Sequence, residues 1–201
     1  MDDFAPILRL DDIDATRIKP LELRAAQLAR DLGYQIQWHV VPVRSEKCDP
    51  ALITFLGAGD GLWLHGVHHK PQLPHSAEMV LQAVRRLSLA TGYEVAGFSV
   101  PFGYVPPLVW RASVGTLPIS LLAPPLQRPQ DQLCVDVCAW PGPALRNMLQ
   151  IYHRARVAMA TTKSWGLAVH PGRIRPAYED FALRATMAFW QETRERPGTE
   201  A

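Results

Sequence analysis

Helical periodicity marks two segments in the first half of the chain. Residues 20–33 place apolar side chains at every third or fourth position, with a proline in the first turn and Gly33 as the stop. Residues 76–92 repeat this pattern, with Ser76 at the position of an N-cap and Gly92 after the last apolar residue. The spacing therefore predicts two amphipathic helices.

Shorter apolar runs before, between and after these helices predict strands. Residues 7–10 form an apolar run followed by an acidic turn, residues 36–43 are rich in β-branched and aromatic side chains, and residues 94–100 follow the second helix. Residues 51–67 are interpreted as two strands around a glycine-rich turn. The order of strand, helix, strand, strand, helix and strand predicts an α/β fold with a small mixed sheet.

The second half of the chain has a different pattern. A proline-rich stretch from residue 101 to 129 favours short edge strands, and a strand is predicted at 132–140 by its alternation of apolar and polar residues. Two helices are predicted to finish the chain. We therefore expect an α/β body over residues 1–100, a proline-rich segment over 101–140 in the same domain, and a C-terminal helical segment over 141–201 packed on the body.

Composition indicates an ordinary globular protein. About a fifth of the residues are charged and the net charge is only +2, so the total charge does not define a partner. The three cysteines form no C-x-x-C pair, and the amino terminus is acidic and lacks an apolar signal region. The longest weakly charged stretch is interrupted by prolines. We expect a cytoplasmic protein without a membrane span.

Charge is nevertheless unevenly distributed. Residues 137–178 contain no acidic residue and six Lys or Arg, a pattern that suits binding of phosphate backbones. The candidate nucleic-acid-binding residues are Arg146, His153, Arg154, Arg156, Lys163, Arg173 and Arg175. Tyr152 and Trp165 lie in the same segment and suit base stacking. In the alternative interpretation these two aromatic residues belong to the core, and the basic side chains of this segment pair with acidic side chains from the first 60 residues.

Four of the seven histidines lie within eleven positions, where an apolar run ends. They are His65, His68, His69 and His75. Imidazole suits zinc, nickel or iron, but H-x-x-H-H differs from the H-E-x-x-H pattern of metalloproteases, and the nearest supporting ligands in the sequence would be Asp60 and Cys48. No metal ligand set is assigned on this basis. A histidine-based metal hydrolase and a solvent-facing polar loop both remain open.

The run from Gly66 to Lys70, Gly-Val-His-His-Lys, follows a predicted strand and precedes a predicted helix. It resembles the signature of the ParB/sulfiredoxin superfamily, in which a strand leads into Gly-x-His-Arg or Gly-Glu-Arg-Arg. The resemblance covers residues 6–100 and extends to small plasmid proteins of the fertility-inhibition (Osa) type. Val67 stands where sulfiredoxins carry cysteine, which excludes sulfinic-acid reduction, and His69 replaces the usual arginine.

The resemblance implies a phosphate site at this junction. Gly66 would let the backbone approach an anion, His68 and His69 would donate hydrogen bonds, and Lys70 would add positive charge. Asp60 and Glu94 lie near the ends of the flanking elements.

These two carboxylates, Asp60 and Glu94, are therefore the candidate catalytic residues, as general base or Mg²⁺ ligand. The predicted function is a phosphate-, nucleotide- or nucleic-acid-binding protein, with Mg²⁺ and ATP as cofactors. Its expected activity is that of a nuclease- or ATPase-like regulator of plasmid or DNA transfer. The alternative is a non-catalytic interaction module, such as an inhibitor, immunity-type protein or complex subunit, whose proline-rich middle binds a protein partner.

Overall fold

The structure is a computed structural model that describes residues 7–41, 47–69, 76–101, 114–122, 133–136 and 165–169. The elements within these ranges are β1 (Ile7–Asp14), α1 (Pro20–Asp31), β2 (Gln35–Val41), α2 (Pro50–Phe55), β3 (Gly61–His65), α3 (Ala77–Thr91), β4 (Val95–Ser99), β5 (Ser120–Leu122), β6 (Leu133–Asp136) and β7 (Trp165–Val169). None of the helices in the described ranges is long and apolar enough to span a membrane.

The strands form one sheet of seven strands in the order β5-β4-β3-β2-β1-β7-β6, and every pairing in it is parallel. On one side of β1 the neighbours are β2, β3, β4 and β5 in turn, and on the other side they are β7 and then β6. This is the strand order of a parallel α/β barrel in which β5 and β6 are not paired with each other. Because all strands run the same way, their carboxyl ends meet at one edge of the sheet. In parallel α/β folds that edge is where ligands bind.

Helix caps explain why two of the helices begin and end where the sequence predicts. In α1 the Glu22 carboxylate accepts a hydrogen bond of 2.7 Å from the backbone N–H of Lys19, which is the half of a capping box that the third helical residue supplies. In α3 the Ser76 hydroxyl accepts a bond of 3.3 Å from the N–H of Met79, and Gly92 ends the helix with a φ of 76°. Both helix predictions are confirmed.

The segment before β3 is a helix, so the predicted strand there is wrong. Asp49 caps α2 by accepting a 2.9 Å hydrogen bond from the N–H of Ala51, and Pro50 occupies the first turn, where its missing N–H costs nothing. Within α2 only Leu52 is fully buried. The run of apolar residues alone is compatible with a strand, but the capping residues Asp49 and Pro50 favour a helix.

The α/β class is confirmed, whereas the ParB/sulfiredoxin-like order is not. The sheet was expected to be mixed, but all described pairings are parallel. The β5 and β6 strands lie within two segments predicted to contain strands, and β7 lies between the two helices predicted for the C-terminal segment. In the sheet β7 pairs directly with β1, with Val169 opposite Leu10. The two predicted C-terminal helices lie outside the described residues, and the domain division remains a prediction.

The core is continuous along the central strands, as a sheet covered on both faces requires. Strand residues such as Leu8, Ile36 and Leu64 are fully buried, and the small residues Ala25 and Ala29 let α1 approach the sheet closely. Polar residues interrupt this pattern mainly where strands end. Those interruptions define the candidate site.

Candidate metal centre

Two consecutive carboxylates lie in a β-bulge near the carboxyl end of β1. The register with β2 shifts by one residue between Leu10 and Ile13, so that Asp11 and Asp12 lie in the bulge. Asp12 has a φ of 60°, in the left-handed region that aspartate tolerates better than most residues. Bulges commonly redirect side chains beside active sites. Here the bulge lets both acids reach groups of ligand atoms that include His65.

The end of β3 supplies two histidines through a tight turn. His65 is the last residue of the strand and is buried, and Gly66 follows with a φ of 70° and donates a 2.9 Å hydrogen bond to the carbonyl of Ser99. A Cβ atom at Gly66 would lie 2.6 Å from Cγ of Pro101, so this position requires glycine. The turn brings the His69 ring to a centroid distance of 5.5 Å from His65.

Asp12, His65 and His69 form a possible metal site. Oδ1 of Asp12 lies 2.7 Å from Nε2 of His69 and 3.2 Å from Nε2 of His65. Metal bonds of about 2.0–2.2 Å place neighbouring ligand atoms roughly 3 Å apart, so these separations fit one ion. Two imidazoles and one carboxylate with open positions are typical of zinc, cobalt or iron sites. The donor set present in the chain therefore fits a divalent transition metal.

Two of the three side chains in the triad are partly exposed to solvent. The side chains of Asp12 and His69 are 20% and 25% exposed, whereas that of His65 is 3% exposed. A ligand would therefore approach over Asp12 and His69 and meet His65 at the bottom of the site.

A second, buried cluster lies beside the triad and shares His65 with it. Asp11 accepts a 2.5 Å hydrogen bond from Nε of Arg9, and its Oδ1 lies 3.7 Å from Nδ1 of His39. Nδ1 of His39 and Nδ1 of His65 each lie 2.7 Å from the hydroxyl oxygen of Ser99. Asp11, His39, His65 and Ser99 are all buried. We call this group the inner cluster.

The residues predicted for the phosphate site diverge in the structure. Gly66 and His69 belong to the turn that builds the triad, and Nε2 of His69 faces the Asp12 carboxylate. His68 between them is exposed. Lys70 and His75 lie outside the described residues, as do the seven candidate nucleic-acid-binding residues from Arg146 to Arg175.

The predicted catalytic carboxylates do not reach the histidines. Asp60 and Glu94 immediately precede β3 and β4, so they lie at the amino edge of the sheet, opposite the edge that carries His65. Glu94 is exposed. Asp60 instead accepts hydrogen bonds of 2.6 Å from Nη2 of Arg30 and 2.9 Å from Nε1 of Trp38. This geometry assigns Asp60 to a structural network that joins α1 to β2.

Sequence reasoning missed the acids and the inner cluster. The missed residues are Asp11, Asp12, His39 and Ser99. Asp11, Asp12 and Ser99 are polar residues at or near the carboxyl end of a predicted strand, and that shared position is the signal that identifies them. The expected mixed sheet concealed it, because strand ends gather at one edge only when the strands are parallel. His39 lies in the middle of the strand predicted at 36–43 and carries no such signal.

Several solved structures share this fold, and they are deacetylases and esterases of carbohydrates. A family 4 carbohydrate esterase from Streptomyces lividans in complex with acetate superposes with a TM-score of 0.64 at 14% identity, covering 96% of this chain and 90% of that chain. The catalytic domain of peptidoglycan N-acetylglucosamine deacetylase from Eubacterium rectale gives a TM-score of 0.60 at 13% identity, with coverages of 96% and 87%.

A third neighbour was determined with a metal. The family 4 acetyl xylan esterase from Clostridium thermocellum, in complex with a cobalt ion, gives a TM-score of 0.54 at 11% identity and covers 93% of this chain and 84% of that chain. No protein-family model matches the sequence, and no curated protein matches it. At these identities the similarity establishes the fold.

The fold neighbours correct the predicted identity and function. The ParB/sulfiredoxin resemblance is wrong, because its Gly-x-His-His motif closes a strand of a parallel sheet shared with carbohydrate deacetylases. The predicted nuclease- or ATPase-like plasmid regulator is also wrong, as are the nucleic-acid-binding and inhibitor roles, since the solved structures that share this fold are carbohydrate and peptidoglycan deacetylases and not plasmid or nucleic-acid-binding proteins. Mg²⁺ and ATP are not supported, because two imidazoles and a carboxylate favour a transition metal over Mg²⁺.

Proposed function

We propose that this chain is a metal-dependent hydrolase that removes acetyl groups from an acetylated carbohydrate. The observation that carries the proposal is the position of Asp12 Oδ1 within 3.2 Å of Nε2 of both His65 and His69, at the carboxyl edge of a parallel sheet. The fold neighbours act as deacetylases and acetyl esterases, and one of them was determined with cobalt. Fold and donor chemistry therefore support the same class of reaction.

Asp12, His65 and His69 would hold the ion. A divalent transition metal bound there supplies Lewis-acid chemistry, which polarises an acyl oxygen and makes water a stronger nucleophile. His65 would anchor the set from the end of a buried strand, and the other two side chains are partly exposed. The chain would thus supply three donor atoms to the ion.

Asp11 is the best-placed general base. Its carboxylate is buried beside the triad. One carboxylate oxygen of Asp11 lies within 4.8 Å of a ring nitrogen of His39 and of a ring nitrogen of His65. The hydrogen bond of 2.5 Å from Nε of Arg9 fixes the orientation of the carboxylate. A fixed carboxylate at this position takes a proton from water as the acyl carbon is attacked. Arg9 is then a positioning residue for Asp11.

The experiment combines metal loading with acetate release. Purified protein is stripped with a chelator, reloaded with Zn²⁺ or Co²⁺, and assayed for free acetate from acetylated xylan and from oligomers of N-acetylglucosamine. We expect release only from loaded protein, and a loss of about 100-fold or more in kcat for Asp11→Asn with metal content unchanged, since a positioned general base contributes about that much.

Two results would overturn the proposal. The first is wild-type protein that binds neither ion, and the second is acetate release that is equal with and without metal. The two substrates also separate ester from amide hydrolysis, because xylan carries O-acetyl groups and the glucosamine oligomers carry N-acetyl groups.

A further inference from the structure

The Ser99 hydroxyl lies between two buried histidines in the inner cluster. Its oxygen is 2.7 Å from Nδ1 of His65 and 2.7 Å from Nδ1 of His39, and 3.4 Å from the carbonyl oxygen of Leu64. Ser99 and His39 are both fully buried. A hydroxyl held this closely by two imidazoles has few possible hydrogen-bond arrangements, so its protons can be counted.

The inner cluster does not suit a second metal ion, although Asp11, His39 and His65 bring suitable atoms together. An ion would need to lie about 2.0–2.1 Å from each imidazole nitrogen. Both Nδ1 atoms are directed at the Ser99 oxygen, which already occupies that space. Asp11 is in addition paired with the guanidinium of Arg9, whose charge repels a cation. The cluster is therefore a hydrogen-bonded network.

The count of protons gives the network a direction. Ser99 has one hydrogen to donate, so at least one of the two Nδ1 atoms must donate to its oxygen. In the proposed site Nε2 of His65 faces Asp12 and binds the ion through its lone pair, which places the ring hydrogen on Nδ1. His65 must therefore donate to Ser99. The Ser99 hydrogen then goes to His39 or to the Leu64 carbonyl.

We propose that Ser99 is a positioning residue for the metal ligand His65, and that His39 acts through Ser99. The inference rests on the proposed metal site and deepens it, by assigning the partners that fix the tautomer and orientation of one ligand. Outer partners of this kind typically change metal affinity by about 10–100-fold. The His39 ring is itself fixed, since it stacks on Trp63 at a centroid distance of 5.2 Å and an interplanar angle of 9°.

The test measures Co²⁺ affinity by titration, from the visible absorption band of the bound ion, in the whole 201-residue chain. We expect Ser99→Ala to weaken Co²⁺ binding by about 10–100-fold. Ser99→Thr retains the hydroxyl and should restore most of that loss. His39→Phe keeps a flat ring against Trp63 without its nitrogens, and it should weaken binding in the wild-type background.

The double variant tests whether His39 acts through Ser99. If it does, His39→Phe adds little further loss to Ser99→Ala, because the two changes interrupt one network and their effects are not additive. A matched control is Thr91→Val, which removes a buried hydroxyl whose 2.8 Å bond goes to the Leu87 carbonyl in α3. This control should lower the melting temperature of the apoprotein and leave Co²⁺ affinity unchanged.

The outcomes separate this inference from the proposed function. If wild-type protein binds no Co²⁺, the metal site and the inference both fail. If wild type binds Co²⁺ and both Ser99→Ala and His39→Phe bind it equally well, only the positioning role is overturned. Equal loss of affinity in Thr91→Val would also overturn it, since general destabilisation would then account for the effect. If Ser99→Ala fails to fold, His39→Phe and Ser99→Thr decide the question.

Discussion

Oδ1 of Asp12 lies 2.7 Å from Nε2 of His69, although 57 positions separate the two residues in the chain. Both residues adopt positive φ, 60° at Asp12 and 44° at His69, in a region that non-glycine residues rarely occupy. Such conformations cost about 1–3 kcal/mol each and persist where the surrounding structure imposes them, often at functional sites. The contact therefore depends on two strained positions, one in the β1 bulge and one in the turn after β3.

Removing the charge of Asp12 should abolish tight metal binding. Asp12→Asn is the suitable change, because asparagine tolerates the left-handed conformation about as well as aspartate does and adds no further backbone strain. We expect the affinity for Zn²⁺ or Co²⁺ to fall by more than about 10-fold, since even an outer partner of a ligand contributes that much. Competition with a chromophoric chelator measures it.

The control for this change is Asp14→Asn in the same strand. Asp14 is exposed and accepts hydrogen bonds from Thr16, which asparagine can also accept. Equal metal affinity for Asp12→Asn and wild type would exclude Asp12 as a ligand. Equal loss in both variants would mean that the effect comes from the charge of the strand end.

Two adjacent histidines should behave differently. His69 faces Asp12, whereas His68 is exposed. A metal present at about a hundred times its dissociation constant stabilises the folded protein by roughly 2.7 kcal/mol. We expect this stabilisation in His68→Asn and expect His69→Asn to lose it. Asparagine is chosen because it tolerates the positive φ of His69, and the same change at His68 keeps the two variants comparable.

Thermal unfolding with and without Zn²⁺ measures the difference. A metal-induced shift that survives in His69→Asn and disappears in His68→Asn would reverse the assignment of the two side chains. It would also return the exposed histidine to the candidate site.

The helices that the sequence predicts correctly have their start and stop residues within or next to the helical segment itself. Helices α1 and α3 have a first-turn proline or an N-cap serine and a glycine stop within the segment itself. Strand β7 was missed because its five residues lie in a segment whose neighbours favour helix, and its place beside β1 is a long-range pairing. Local patterns report local structure, so the position of a strand in the sheet is not available from them.

The same distinction applies to the site. His65 and His69 are four residues apart, and both belong to the cluster of histidines that is visible in the sequence. Asp12 joins them only through the order of β1, β2 and β3, in which β2 separates the strands that carry the acid and the histidines. A sequence search for a third ligand near the histidines therefore led to Asp60, which is close in sequence and lies at the opposite edge of the sheet.

Asp60 should matter for stability and not for metal binding. Its Oδ2 accepts hydrogen bonds from Arg30, from the fully buried Trp38 and from the N–H of Gly57. Asp60→Ala leaves the Trp38 donor unsatisfied and the Arg30 guanidinium without this partner, which should lower the free energy of unfolding by roughly 2–4 kcal/mol. Urea denaturation measures the loss, and Co²⁺ titration of the folded variant should match wild type. A variant of normal stability that has lost metal or activity would give Asp60 the catalytic role first expected of it.

Glu22 makes folding sensitive to pH at the start of α1. The carboxyl group is 1% exposed, and burial raises its pKa above the ordinary value of 4.5, although hydrogen bonds and charge from Lys19 act in the opposite direction. The folded protein therefore binds this proton more tightly than the unfolded chain. The contribution of Glu22 to stability is fully present below pH 4.5 and is lost as the pH rises through the folded pKa.

Glu22→Gln should remove this dependence and keep the cap, because a glutamine oxygen can still accept the hydrogen bond from the N–H of Lys19. We expect the difference in free energy of unfolding, variant minus wild type, to increase as the pH rises from 4.5 towards neutrality. Urea denaturation at several pH values measures it. Glu78→Gln is the matched control, since Glu78 lies exposed in the first turn of α3. A difference for Glu22→Gln that decreases with pH would mean that the capping bond outweighs burial and that the carboxylate is stabilised in its charged form. A difference that is constant with pH would mean that the two effects cancel and that folding leaves the pKa of Glu22 unchanged.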